Sequence, residues 1–175
     1  MLDKLKFTVT SAIFDEFPNA KFGGIFIREL QKKSNTEELL NIFQKNVLED
    51  LNNSDVQKDP KIIAWNSFFL KRIGKDKNAA HIALLERVIK QKQFPNVNQL
   101  VDIYNTYSVY KRIPIGGHDT SERNEIIVGR TSGGESFQVM NSTEIETVAS
   151  NEYAYLDSQN HILTRNLVWR QSDYS

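Results

Sequence analysis

The chain has 175 residues, of which 39% are apolar and 25% charged, and ten Phe give it enough material for one sizeable core. These values exclude a disulfide-stapled mini-protein and a wholly disordered chain. The 22 basic and 22 acidic residues cancel, so no overall charge draws the molecule to a polyanion or a membrane surface.

Residue types and motifs that do not occur exclude further classes of function. The chain has no Cys, which excludes disulfides, thiolate catalysis and thiolate zinc sites. His81, His118 and His161 lack a metal-binding spacing and no phosphate-binding glycine motif occurs, so we expect neither a metal nor a cofactor. No apolar run reaches the roughly 18 residues of a membrane span, and no signal-peptide pattern begins the chain. We therefore expect a cytoplasmic protein with no membrane partner.

The start of the chain predicts two strands on either side of a helical turn. Residues Leu5–Thr10 alternate between apolar and polar with period two, which is typical of a strand. Gly24–Arg28 is a short apolar run behind a pair of glycines and predicts the second strand. Phe14–Pro18 between them predicts a helical turn and a loop.

Four helices are predicted in the middle of the chain, where apolar residues recur every three or four positions. Ser34 and Glu37 have the spacing of a capping box that begins the first helix. Asp59, followed by a proline, is a suitable N-cap for the second, and Asn98 for the fourth. The third helix is expected over about 78–91.

Strands dominate the rest of the chain. Strand-like segments separated by turn residues occur at 125–130, 134–140, 152–156 and 161–169. This segregation predicts an α+β fold with antiparallel or mixed sheets covered by about four helices. Because no linker or repeat divides the chain, we expect a single domain over residues 1–175.

A basic stretch runs from Lys71 to Gln93, with seven Lys and Arg against two Asp and Glu. Such a stretch can hold an RNA phosphate backbone, or it can be the solvated face of a helix in a neutral protein. The residues assigned to RNA binding are Lys71, Arg72, Lys75 and Lys77.

Three further features have both a structural and a functional interpretation. His118 lies in the glycine-flanked loop Pro114–Asp119, where it either faces a ligand or sits in an ordinary surface turn. Tyr104, with two further tyrosines at spacing three, is either half-buried core or part of a base-stacking platform. Asn105 lies inside a helix and makes either a local structural bond or a ligand contact.

Asn98–Asn105 and Pro114–Asp119 together resemble the tRNA-binding editing domain of the phenylalanyl-tRNA synthetase β subunit, and are most similar to free-standing proteins made of that domain alone. Phe14–Pro18, Ala64-Trp65 and Thr164–Gln171 agree with the resemblance, which spans nearly the whole chain. It implies the fold of that domain and a pocket that binds the 3′ end of mischarged tRNA and hydrolyses the aminoacyl ester.

The resemblance also assigns the site. Asn105 matches a pocket-lining Asn of the family and, with the backbone amides of Gly116 and Gly117, is expected to act in catalysis. We expect these residues to converge on one solvent-reachable hollow. The residues expected to contact the substrate are Tyr104, Pro114, His118, Arg165, Arg170 and Gln171.

The sequence also departs from the family pattern. The synthetase's pocket threonine corresponds to Tyr104, its histidine falls at Gly116, and a glycine pair after the last strand is replaced by Arg170-Gln171. Bulky groups in place of glycine reshape a pocket, so tyrosine specificity is not expected here. The family's last strand and helix are also expected to be missing.

Two functions from different classes follow. The chain is an RNA-binding domain that recognises tRNA or aminoacyl-tRNA and hydrolyses mischarged tRNA in trans, or it is a non-catalytic module that binds a free amino acid or small metabolite in the inherited pocket. The absence of net charge favours the module, and the local basic stretch favours tRNA. A structural or protein-interaction role stays open as a third interpretation.

Overall fold

A computed structural model describes residues 5–29, 35–74 and 78–175. The chain forms two compact units, a sheet unit made of residues 1–24 and 117–175 and a helical unit made of residues 25–116. Within the described ranges, no helix combines the length and the apolar character needed to cross a bilayer.

From residue 5 onward, where the structure describes it, the sheet unit contains one short helix and seven strands. They are β1 (Lys6–Val9), α1 (Ser11–Glu16), β2 (Glu125–Arg130), β3 (Ser136–Gln138), β4 (Ile145–Thr147), β5 (Tyr153–Asp157), β6 (Ile162–Arg165) and β7 (Arg170–Gln171). Five strands form a mixed sheet in the order β1-β2-β5-β6-β7, in which only β1 and β2 run parallel. β3 and β4 form a separate antiparallel ribbon.

In its described residues the helical unit contains four α-helices and a short 3-10 helix (Val56–Lys58) that precedes the second of them. The α-helices are α2 (Thr36–Asn52), α3 (Pro60–Arg72), α4 (Ala80–Gln91) and α5 (Gln99–Lys111). α2, α4 and α5 pack against one another, and their buried apolar residues include Val47, Val88 and Val109. The α+β prediction and the four predicted helices are confirmed, with α1 as a fifth helix in place of the expected turn.

The core of the sheet unit lies between the five-stranded sheet and the ribbon. Phe137 of β3 and Val148 beside β4 pack with Ala154, Leu156 and Ile162 of the central strands, and all five are buried. The period-two alternation of the strands puts these side chains on one face. The sheet is therefore held to the ribbon by side-chain packing.

Two predicted helix caps are confirmed. The Asp59 carboxylate accepts a hydrogen bond from the Lys61 N–H at 2.8 Å, and the Asn98 side chain accepts one from the Val101 N–H at 3.0 Å. Ser34, the predicted cap of α2, lies outside the described residues. The N-cap position of α2 is Asn35, whose side chain makes no capping bond.

Two strand predictions were wrong. Gly24–Arg28 forms no strand, and Ile25 is 91% exposed, because in the described part of the chain this run has neither a strand to pair with nor a face to bury. The run 161–169 is not one strand, because only β6 lies within it and a tight turn over 166–169 then leads to β7. Asn166 and Leu167 have φ values of 48° and 63° there, which reverses the chain.

Candidate functional site

Asn105, the central residue of the predicted site, lies in the middle of α5. Its neighbour Thr106 is fully buried and donates its hydroxyl to the carbonyl of Asp102 at 2.7 Å. Asn105 itself is half-buried, and among the described residues its carboxamide has no hydrogen-bond partner. The local structural bond is thus not found in the described ranges, and the amide is available to a ligand.

The three tyrosines of α5 differ in exposure. Tyr104 is half-buried, and burial, followed by the negative charge of Asp102, raises the pKa of its phenol. Tyr107 and Tyr110 are 47% and 38% exposed, and their ring centroids lie 4.9 and 5.5 Å from that of Phe43 in α2. Tyr104 therefore has a partly enclosed environment, whereas the other two present ring surface to solvent.

Pro114 and Gly116 follow the end of α5. Arg112 adopts the left-handed conformation with φ of 55°, and the Ile113 N–H then bonds the Ser108 carbonyl at 3.2 Å. The Ser108 hydroxyl returns a bond of 2.7 Å to the Ile113 carbonyl. This double cap sets the direction in which the chain leaves the helix. Pro114 is half-buried and Gly116 exposed, and the Gly116 N–H has no acceptor in the described part of the chain.

Gly117, His118 and Gln171 come together at one corner of the sheet unit. The Gln171 amide donates to the Gly117 carbonyl at 2.9 Å. The His118 Nδ1 lies 3.0 Å from the Ser175 hydroxyl, and its ring centroid is 5.4 Å from that of Tyr155. The loop predicted to face a ligand is therefore attached to β7 through Gln171, to Ser175 by a hydrogen bond, and to β5 through the Tyr155 ring.

His118 is uncharged at neutral pH. Burial, together with the positive charge of Arg123, lowers the pKa of its imidazole to about 4. The ring can therefore donate or accept a hydrogen bond, but it provides no positive charge for a phosphate or carboxylate.

Arg165 and Arg170 both bind carboxylates of the sheet unit. Arg165 forms two bonds of 2.8 Å to Glu152 and one to Glu146, and Arg170 bonds Glu146 at 2.7 Å. The guanidinium carbons lie 5.2 and 4.5 Å from the ring centroid of Trp169. Hydrogen bonds that Arg165 donates to Glu152 are the main reason that the pKa of Arg165 is raised. Both cations are thus accounted for without a ligand.

Two of the four basic residues assigned to RNA binding lie in the described part of the chain. Lys71 and Arg72 are the last two residues of α3, and both are exposed. Lys75 and Lys77 lie outside the described residues. The RNA-binding role of these four residues stays a prediction.

The predicted site residues thus fall into two groups. Tyr104 and Asn105 are neighbours on α5 in the helical unit, and Gly117, His118 and Gln171 share one corner of the sheet unit. Each group is described within its own unit, and the expectation that both line one hollow stays a prediction.

Sequence reasoning did not identify Ser175, Tyr155, Glu146 or Glu152 as neighbours of site residues. Ser175 is 57 residues from His118, and Glu146 is 19 residues from Arg165. Contacts at such separations follow from strand pairing and leave no local spacing pattern. The only available signal was the alternation in β5, which gives Tyr155 a defined face of the sheet.

The other two histidines have environments that differ from that of His118. His81 in α4 is 5% exposed, contacts the Trp65 ring at a centroid distance of 5.3 Å, and has no hydrogen bond at either nitrogen. Burial lowers its pKa to about 4. His161 lies 2.9 Å from Asp157. Among the described residues, no group of three or more His, Asp or Glu side chains is arranged to hold a metal ion.

Comparison with known proteins gives one match. The family model described as the B3/4 domain matches residues 64–175, which is more than half of the chain and includes Asn105, the Pro114–Asp119 loop and the last sheet strands. No curated protein and no solved structure matches the chain.

Proposed function

We propose that this chain, which belongs to the B3/4 domain family, binds the aminoacyl end of tRNA and hydrolyses mischarged tRNA in trans. The B3/4 domain is the editing-type domain of the phenylalanyl-tRNA synthetase β subunit. In this reaction water attacks the carbonyl carbon of the aminoacyl ester. The ribose oxygen leaves, and the products are a free amino acid and an uncharged tRNA.

The unpartnered carboxamide of Asn105 carries the proposal. Asn105 is half-buried and its polar atoms are not sealed from solvent, so a ligand can take the place of water at its carboxamide. An aminoacyl ester is already activated, so its hydrolysis needs a positioned water and donors at the carbonyl oxygen rather than a strong nucleophile. In the proposed mechanism the Asn105 amide donates to that oxygen and stabilises the negative charge that develops on it.

The N–H groups of Gly116 and Gly117 are the proposed second source of donors. Each glycine is exposed, and neither N–H has an acceptor among the residues described. Backbone amides suit this role because they are fixed before the reaction and need no reorganisation as the oxyanion forms. The proposal gives them the ester oxygen or the ribose as partners.

His118 has a positioning role in this scheme. Because its pKa is about 4, the imidazole is a weak base at pH 7 and a poor acceptor for the proton of the attacking water. Its bond to Ser175 and its contact with Tyr155 instead hold the loop that follows Gly117.

The distribution of charge between the units favours RNA over a neutral small molecule. The helical unit contains fifteen Lys and Arg against ten Asp and Glu, and the sheet unit contains seven against twelve. The net charge of zero is thus the sum of +5 in the helical unit and −5 in the sheet unit. A unit with this excess of cations can bind phosphates although the whole chain is neutral.

Deacylation of tRNAs mischarged with each amino acid tests the proposal. We expect the parent protein to release at least one amino acid, and Asn105→Ala to slow that release roughly 100- to 1000-fold, the range for loss of one oxyanion donor. Asn66→Ala is the matched control, because Asn66 is an exposed asparagine on α3 outside the proposed site.

Two results would contradict the proposal at different levels. If Asn105→Ala is as fast as the parent, the site assignment is wrong while the activity stands. If the parent turns over no mischarged tRNA and shows no salt-dependent tRNA binding, the function itself is wrong.

One observation favours the alternative, a non-catalytic module that binds a free amino acid or small metabolite. Arg165 and Arg170 are neutralised by Glu146 and Glu152, which leaves those two guanidinium groups poorly suited to bind phosphate. Calorimetry with free amino acids separates the two functions. Binding of an amino acid without turnover of its tRNA ester would support the module.

A further inference from the structure

We propose that the aromatic face of the helical unit, defined as Phe43, Tyr107, Tyr110, Lys61 and Lys111, binds an unpaired segment of RNA by stacking bases on its tyrosine rings. This inference rests on the proposed function, because it names a surface on which tRNA docks. It assigns a surface distinct from the Asn105 site and from the basic residues that follow α3.

The rings of this face are held by helix packing and remain open to solvent. Phe43 of α2 contacts Tyr107 and Tyr110 of α5 at tilts of 54° and 79°, and the Gln44 amide donates to Thr106 at 3.1 Å between the same helices. Both tyrosines are more than a third exposed. Because packing already holds the tyrosine rings in place, stacking a base on them costs little further side-chain entropy. The arrangement therefore suits stacking.

Two lysines border the rings. The Lys111 ammonium lies 4.2 Å from the centroid of the Tyr110 ring, and the Lys61 ammonium donates to the Lys111 carbonyl at 2.9 Å. Both lysines are exposed. Cations at the edge of a stacking surface meet the phosphates of a strand whose bases lie on the rings.

The acidic groups near this face are compensated. Asp50 and Asp59 both bind Arg112, at 3.0 and 3.3 Å, and the Arg112 side chain is only 14% exposed. Arg112 offsets one of these two negative charges, and Lys61 and Lys111 then give this group of five charged side chains a net charge of +1. The excess of five cations in the whole helical unit agrees with this sign.

Charge distinguishes RNA from a protein partner for this face. Leu39 and Ile42, also exposed on α2, add apolar area that a protein can bury as well. A hydrophobic protein contact would desolvate Lys61 and Lys111 without giving them a partner, which costs free energy. An RNA strand gives each ammonium a phosphate, and for this reason RNA is the occupant we infer.

Fluorescence anisotropy with two probes, deacylated tRNA and a short labelled oligo(A) RNA, tests the inference in the full chain. We expect the double variant Tyr107→Ala/Tyr110→Ala to weaken oligo(A) binding about tenfold or more with little change in its salt dependence. Lys111→Gln is expected to reduce the slope of log K against log salt by about one.

Matched variants separate stacking from other effects. Tyr107→Phe/Tyr110→Phe keeps the rings and is expected to restore the affinity lost in the alanine variant. Ile63→Ala removes exposed apolar surface from α3, outside the aromatic face, and is expected to bind like the parent. Lys111→Gln provides a second test if the alanine variant fails to fold, because Lys111 is exposed.

Failure of the inference and failure of the proposed function give different results. If the parent binds both probes and neither the alanine variant nor Lys111→Gln changes binding, the inference is overturned and the proposed function stands. A change of oligomeric state in the alanine variant with unchanged RNA affinity would assign the face to self-association and also overturn it. If the parent deacylates no mischarged tRNA and binds neither probe, both fail together.

Discussion

Arg165 shows how a residue that is expected to contact a substrate can instead be paired with carboxylates of its own chain. Its side chain is 12% exposed and binds Glu146 and Glu152, and its guanidinium also lies 5.5 Å from the Phe137 ring. Such buried pairs add little net stability, but removing one partner leaves a costly unpaired charge. The last strands of this chain therefore need Arg165 to balance two carboxylates, whatever ligand the unit binds.

His81 predicts acid sensitivity at the level of one residue. Its pKa is about 4 in the folded chain and 6.5 when exposed, so between these pH values the unfolded chain binds a proton that the folded chain does not. Stability is then fully present above about pH 6.5 and falls as the pH is lowered towards 4, by on the order of 3 kcal/mol. Urea denaturation followed at several pH values measures this loss.

The variant His81→Leu provides the control for this titration. Both ring nitrogens of His81 lack partners among the described residues, so an apolar side chain of similar size leaves no acceptor or donor unpaired. We expect a shallower acid transition, with the remainder due to His118, whose pKa is also about 4, and to carboxylates such as Asp157, whose pKa is lowered. An unchanged dependence on pH would show that His81 is not responsible.

At the scale of elements, the caps of the helices determine where the site helix begins. α5 begins with an Asn whose side chain bonds the Val101 N–H, whereas α2 begins with an Asn whose side chain caps nothing. Because Asn105 lies two turns into α5, the position of its carboxamide depends on this first turn. Asn→Ala can therefore be made at two N-cap positions, one with a capping hydrogen bond and one without.

We predict that Asn98→Ala lowers the free energy of unfolding by about 1 kcal/mol, while Asn35→Ala changes it little. The reason is that only Asn98 satisfies an otherwise unpaired N–H of its helix. Urea denaturation of both variants measures the difference. Equal losses at the two positions would mean that the hydrogen bond of Asn98 contributes nothing beyond its backbone preference.

The same elements show how far sequence reasoning extends. Helices with a cap and a clear apolar period were placed within a few residues, and β2 was predicted with the bounds it has, because these signals are local. The strand at Gly24–Arg28 failed because an apolar run becomes a strand only if it has a partner. The turn at Asn166-Leu167 gave no warning, since Leu is not a residue that favours positive φ.

The candidate site was predictable to a lesser extent than the fold. Asn105 was predicted inside a helix and is half-buried there, and its free carboxamide agrees with the ligand interpretation. The attachment of Gly117 to Gln171 and the pairing of Arg165 with Glu146 depend on strand register, which no local pattern encodes. A charged residue near a site is therefore ambiguous until its partners are known.

At the scale of the whole molecule, a neutral sequence conceals two oppositely charged units. The neutral total argued against polyanion binding, but the excess of five cations falls entirely in residues 25–116 and the matching excess of acids in the sheet unit. Because salt screens distant charges, a ligand interacts mainly with the charges of the unit nearest to it. The proposed affinity for RNA therefore depends on the charge of each unit rather than on the net charge of the chain.

This partition predicts retention of the chain on a heparin column. At roughly 50 mM salt we expect binding, with release as the salt concentration rises, because bound counterions are displaced by the basic unit. Lys90→Gln, on the exposed side of α4, should elute earlier, whereas Lys6→Gln, whose lysine pairs with Glu125 at 2.9 Å, should elute with the parent. Passage of the parent without retention would contradict the prediction.

The parallel pairing of β1 with β2 has a consequence for biosynthesis. Thr8 and Glu125, which are joined by a hydrogen bond across this pair, are separated by 117 positions. On the ribosome, the first strand emerges long before its neighbour is translated, and the complete helical segment is made in the interval. The four helices can thus assemble while the chain is still growing, whereas the sheet closes only after β2 and the strands that follow it have been translated.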